Sequence, residues 1–170
     1  MVLDSDRLAH EVLKKGNKIY PQVCSLFPEL KGNLSRAKIA QVVFGDPQKR
    51  RALESRVHPY VFQRIHEEVA RTPKEVVVLE VPLLFETGLD SHCDFTVVVD
   101  TPLEKVLRRL GQKGYLPSDI EARWRAQMPV PRKISKADER IDNSRGRAET
   151  RRQVNRIWRK LKERSLTKHG

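Results

Sequence analysis

At 170 residues the chain is the size of one domain with a core of its own, and 38% hydrophobic with 33% charged residues fits a soluble globular protein. No apolar run approaches ~18 residues and no basic-then-apolar leader opens the sequence, so neither a membrane span nor export is expected, and the cytoplasm is the predicted location. The net charge of +12 sits in one half: residues 1–100 carry 14 Lys/Arg against 14 Asp/Glu, residues 101–170 carry 20 against 8. That half suits an anionic partner, a polyphosphate nucleotide or a nucleic acid, unless its basic helix faces serve only solubility. Cys24 and Cys93 stand far apart with no metal-ligand spacing, so no disulfide framework and no metal site is predicted.

In chain order, Val2 to Asp4 reads as the end of a strand, followed by a helix through Leu8, Val12 and Leu13 that Gly16 stops. Asp6 is the expected N-cap of that helix. Asp4 and Asp6 either both cap, or stand as two carboxylates at a strand end, one a base for a reacting hydroxyl. A second helix spans Asn17 to Phe27, closed by Pro28, and after the Gly32-Asn33 turn Ser35 caps a third. Asp46-Pro47 opens a fourth, which His58-Pro59 is expected to break before another runs to about Arg71. His58 is either a packed interhelical residue or a ligand contact.

The run Val76 to Glu86 passes from an apolar strand, expected to be covered on both faces, into a polar-lined turn that Pro82 opens. The C-terminal end of such a strand is where parallel α/β sheets bind ligands. Phe95 to Asp100 forms another strand ending in an acid, and Thr101-Pro102 is expected to cap the helix carrying Arg108 and Arg109. Ser118 and Glu121 match a capping box for a helix through Gln127, and a short segment with Arg132, Lys133 and Lys136 follows a break at Met128 to Pro131. Ile141 to Asn143 reads as a last short strand, and a basic helix from Arg147 to about Leu166 ends the pattern, with the last four or so residues frayed. Strands separated by helices imply an α/β fold with a parallel sheet.

VLDSDRLAHEVL (residues 2–13), the Gly32-x-Leu34-x-Arg36 turn, VFGDP (43–47), LESRVHP (53–59), VPLLFE (81–86), VVVDTP (97–102), Arg123 through Gln127 to Pro129, and AD..IDN (137–143) occur in that order. Together they resemble the dephospho-coenzyme A kinases over nearly the whole chain. The resemblance implies a P-loop nucleoside-kinase-like sheet flanked by helices, forming one domain with a helical acceptor region at about 7–71 and a lid at about 108–136. It implies ATP with Mg2+ as phosphate donor and the ribose 3′-hydroxyl of dephospho-CoA as acceptor. Asp6 would be the base and Arg108 would stabilise the transferring phosphoryl group. Asp4, Arg36, His58, Leu84, Phe85 and Glu86 would bind the acceptor, and Arg123, Gln127 and Asn143 would serve the ATP side.

The sequence also departs from that pattern. GxxxxGK[ST], the backbone cradle for nucleotide phosphates, is absent from the 170 residues, as are the strand and helix around it. The chain as it stands is therefore expected to transfer little phosphate, with the 76–81 and 95–100 strands each lacking a neighbour. Gln112 and Arg140 occupy positions where the family tends to carry arginine and an apolar residue. The alternatives are a non-catalytic CoA- or nucleotide-binding protein and, less favoured for want of aromatics beyond Trp124 and Trp158, a basic nucleic-acid-binding module.

Overall fold

A computed structural model describes residues 1–167, and the fraying expected at the C-terminus falls, from Lys168 on, outside the described residues. The chain forms two compact units, Met1–Pro82 and Leu83 onward. Each is a two-stranded parallel sheet whose strands are joined by helices, as parallel pairing requires of its connections.

In the first unit β1 (Val2–Asp4) pairs with β2 (Val78–Glu80), Asp4 opposite Glu80. Between them run α1 (Ser5–Glu11), α2 (Tyr20–Leu26), a 3-10 turn at Pro28–Leu30, α3 (Arg36–Gly45) and α4 (Pro47–Arg71). The starts of α3 and α4 follow the sequence. Ser35 Oγ accepts from the Lys38 N–H, and Asp46 Oδ1 accepts from the N–H groups of Gln48 and Lys49 with Pro47 at the first helical position. The expected break at His58-Pro59 does not occur, and α4 runs unbroken through Pro59 for 25 residues. Tyr60, Val61 and Ile65, all buried, pack this helix against α1, α2 and α3, and that tertiary burial outweighs the missing backbone donor. Val76 to Leu79 is not covered on both faces, since Val78 is 50% exposed.

In the second unit a short helix α5 (Leu84–Thr87) ends at Gly88, whose φ of +75° is a left-handed conformation that suits glycine. β3 (Val97–Asp100) pairs with β4 (Glu139–Asp142), and α6 (Leu103–Gly111), α7 (Pro117–Ala126) and α8 (Val130–Lys136) lie between them in sequence. The last helix, α9 (Arg147–Thr167), packs on β4 with Ile157 buried, whereas Val154 and Trp158 stay over 40% exposed.

Two expected caps are displaced. Neither Thr101 nor Ser118 caps a helix, because α6 begins at Leu103 behind the Pro102 carbonyl and α7 begins at Pro117, one residue before Ser118. Glu121, freed from the capping box, pairs with Arg125 instead. Arg140, out of character for an apolar strand, is half exposed and ion-paired with Asp100 on the neighbouring strand. Both cysteines are free thiols, half-buried.

Candidate active site

In the first unit the two aspartates divide the possible roles between them. Asp4, not Asp6, is the N-cap of α1: its Oδ1 accepts from the N–H of Asp6 at 2.9 Å and of Arg7 at 3.1 Å. Its backbone is extended, at φ −101° and ψ 113°, as an N-cap requires, while Asp6 is already helical. The Asp6 side chain is exposed and makes no hydrogen bond or ion pair among the described residues, which leaves its carboxylate available to a substrate. Asp4→Ala is therefore expected to cost about 1 kcal/mol of stability and Asp6→Ala only a few tenths, measured by urea unfolding of each variant.

Arg36, in the first turn of α3, is exposed and unpaired among the described residues, and His58 is half-buried on α4. Two open depressions, of about 470 and 450 Å³, flank the turn that precedes Arg36; both are lined by Lys31 and Asn33, with Lys38 in one and Lys15 in the other. Neither is lined by Asp4, Asp6 or His58. Glu11, by contrast, is committed to packing, accepting from the Tyr60 hydroxyl at 3.0 Å and facing Arg64 at 3.4 Å.

In the second unit the turn Leu84-Phe85-Glu86 is tied to the segment after α7. Phe85 is buried, with the Lys136 ammonium 5.9 Å from its ring centre. Glu86 Oε1 accepts from the Met128 N–H at 2.8 Å and lies 2.8 Å from Lys133 Nζ. Lys133 Nζ also donates to Gln127 Oε1 at 3.0 Å. Partial burial works to raise the Glu86 pKa, and the Lys133 ammonium with the Met128 N–H outweighs it, so the carboxyl sits below its ordinary value. Arg108 on α6 and Arg123 on α7 are exposed and make no ion pair among the described residues. Asn143 follows β4: its N–H donates to Asp100 O at 2.8 Å, its carbonyl accepts from Arg109 at 2.9 Å and its Oδ1 accepts from Thr150 at 3.1 Å.

Comparison with known proteins decides what these residues belong to. The family model described as dephospho-CoA kinase matches residues 1–149. The chain belongs to the dephospho-CoA kinase family. It is 36% identical over 166 residues to the dephospho-CoA kinase of Aquifex aeolicus, covering 94% of this chain and 84% of that one. To the dephospho-CoA kinase of Geobacillus kaustophilus it is 37% identical over 161 residues, covering 90% and 80%. Among solved structures it is similar to the Thermus thermophilus protein TT1252, with a TM-score of 0.81 at 37% identity over 92% of this chain and 81% of that one. The dephospho-CoA kinase from Campylobacter jejuni gives a TM-score of 0.67 at 25% identity, covering 96% and 86%.

Several of the motifs that carry this kinase resemblance turn out to be architectural. Within AD..IDN, Asp138 Oδ2 accepts from both the N–H and the hydroxyl of buried Thr96, at 2.8 and 2.9 Å, which locks the entry of β4 to β3. Asp142 Oδ1 accepts from the Ser144 N–H at 2.8 Å, and Lys105 Nζ donates to Ser144 O at 2.8 Å, so α6 clamps the loop after β4. Asn143 thus already serves as scaffold, whatever it offers to a nucleotide. The residue that sequence reasoning passed over is Lys133. Its signal is weak, one of three basic residues in a short segment, and only burial singles it out.

Proposed function

We propose that this protein binds dephospho-CoA and directs the γ-phosphoryl group of ATP to the ribose 3′-hydroxyl, the closing step of coenzyme A synthesis. The observation that carries the reading is the family match over residues 1–149, which spans the free Asp6 carboxylate at the head of α1. In this reading Asp6 takes the proton of the attacking hydroxyl as its oxygen bonds to the γ-phosphorus and ADP leaves. Arg108, exposed and unpaired among the described residues, stabilises charge on the phosphoryl group in flight. Asp4 holds the turn that presents Asp6. Arg36, His58 and the 84–86 turn bind the acceptor, and Arg123, Gln127 and Asn143 serve the ATP side.

The 170 residues act in this reading as one kinase domain, with a helical acceptor region at about 7–71 and a lid at about 108–136. Among the described residues no three His, Cys, Asp or Glu side chains gather as a metal site; the Mg2+ that the family resemblance implies is proposed to arrive with ATP, where it would neutralise phosphate charge. No described helix is long and apolar enough to cross a membrane, and the cytoplasm, where ATP is abundant, is the proposed location.

Because GxxxxGK[ST] does not occur in the sequence, these residues alone are proposed to bind the acceptor but transfer phosphate slowly. Calorimetric titration with dephospho-CoA and radiolabelled γ-phosphate transfer test the two parts. Saturable binding with little transfer is the expected result. Absence of binding overturns the acceptor reading, and transfer at rates usual for kinases, about 1–100 per second, overturns the claim about the phosphate cradle.

A further inference from the structure

The Lys133 side chain is only 11% exposed, and an ammonium taken out of water needs partners. Its partners include groups from two other elements, the Glu86 carboxylate of α5 at 2.8 Å and the Gln127 carbonyl at the end of α7 at 3.0 Å. The same Glu86 oxygen takes the Met128 N–H at 2.8 Å, so one carboxylate and one ammonium close a ring through three segments. A packing role alone would be met by an apolar side chain of similar length, because a pair of charges this buried gains little stability over well-packed hydrophobic groups. What the pair supplies that a methionine would not is a fixed, charged geometry between Glu86 and Gln127.

We propose that Lys133 is a positioning residue: its ammonium fixes the acceptor-binding turn Leu84-Phe85-Glu86 to the end of the lid helix, so that Glu86 is presented ionised and in place to dephospho-CoA. The inference rests on the reading above, in which that turn meets the acceptor. The charged group facing Glu86 is Lys133, with Lys136 one turn further along α8 over the Phe85 ring. With the ammonium gone, the partial burial that raises the Glu86 pKa is no longer outweighed to the same degree, and the carboxyl protonates at higher pH.

The experiment is titration of the full chain with dephospho-CoA across acidic to neutral pH for the wild type, Lys133→Met, Lys133→Arg, Glu86→Gln and the double variant Lys133→Met/Glu86→Gln. Lys133→Met is expected to weaken binding about tenfold or more, the worth of a hydrogen bond to a charged group, and to move the acidic fall-off in affinity to higher pH. Lys133→Arg should recover most of the affinity and the original pH profile. In Glu86→Gln the fall-off attributable to this carboxyl should vanish, and the double variant should bind no more weakly than Glu86→Gln, since Lys133 acts on the acceptor through Glu86. If Lys133→Met does not fold, the double variant, which leaves no unpaired carboxylate, carries the comparison. Wild-type affinity and pH profile in either of these two variants overturn the proposal, as does equal loss in Lys133→Arg and Lys133→Met. Failure of the wild type to bind dephospho-CoA overturns the acceptor reading and this inference together, whereas wild-type binding that Lys133→Met leaves unchanged overturns only the inference.

Discussion

Phe27→Ala is expected to lower the stability of the chain by about 3–5 kcal/mol, read as a drop in the urea midpoint at unchanged slope. Phe27 is fully buried, at 0% exposure, and its neighbours in rank of burial, Val12 and Val23, lie in the same unit at 1% and 0%. The backbone around the ring is pinned. The Phe27 N–H donates to Cys24 O at 3.0 Å and its carbonyl accepts from the Leu30 N–H at 3.0 Å, so α2 and the 3-10 turn cannot collapse far into the space the ring leaves. The cost of truncation therefore includes a cavity as well as lost burial. Because the chain runs from Phe27 directly into the turn before Arg36, affinity for dephospho-CoA should fall along with stability. Val69→Ala, on an exposed position of α4, should stay within about 0.5 kcal/mol of the wild type. A loss below about 1 kcal/mol for Phe27→Ala would mean that the site repacks around the smaller side chain and leaves no cavity.

Sequence reading places such elements better than it places their contacts. Strand ends and helix starts governed by local chemistry were legible: Asp46-Pro47 and Ser35 cap as expected, because the side chain and the N–H groups it satisfies are two or three residues apart. The order of the family's stretches was legible for the same reason, each being a short local pattern. Where two local signals compete, the nearer one misleads. The sequence offers Asp6 as a cap, with Asp4 beside it, yet the chain turns helical at Ser5, so Asp4 alone holds the last extended position. Ser118 with Glu121 matched a capping box, but Pro117 presets the helical φ one residue earlier. Interactions between positions far apart in sequence left no local trace. The Glu86 to Lys133 pair, the Asp138 lock on Thr96 and the Arg109 grip on the Asn143 carbonyl each join residues more than thirty positions apart, and nothing in periodicity or composition announces them. The same holds for burial: an unbroken apolar run at Val76 to Leu79 implies two covered faces, whereas β2 leaves Val78 half exposed.

Pro59→Ala is expected to stabilise the chain by about 1–3 kcal/mol, seen as a higher thermal midpoint. Pro59 lies in the interior of α4, where it lacks the N–H that would donate to the Ser55 carbonyl and its ring crowds that same oxygen. An interior proline costs about 3 kcal/mol relative to alanine, of which about 0.4–1 kcal/mol is returned because proline also restricts the unfolded chain. The helix survives this cost because it is fastened beyond the proline. Tyr60 is buried, with its hydroxyl donating to Glu11 at 3.0 Å and accepting from Asn17 at 2.8 Å, and Val61 and Ile65 continue the buried face. Alanine restores the missing bond without disturbing any of these contacts, since Pro59 itself is exposed. The variant also tests the helix directly. If residues 58 and 59 formed the break that the His-Pro pair suggests, a residue with proline's fixed φ would suit the site, and alanine would lower stability by loosening the unfolded chain. A gain in stability with unchanged affinity for dephospho-CoA places His58 on a continuous helix, whereas a gain that weakens binding would mean that the acceptor site depends on the strain proline imposes there.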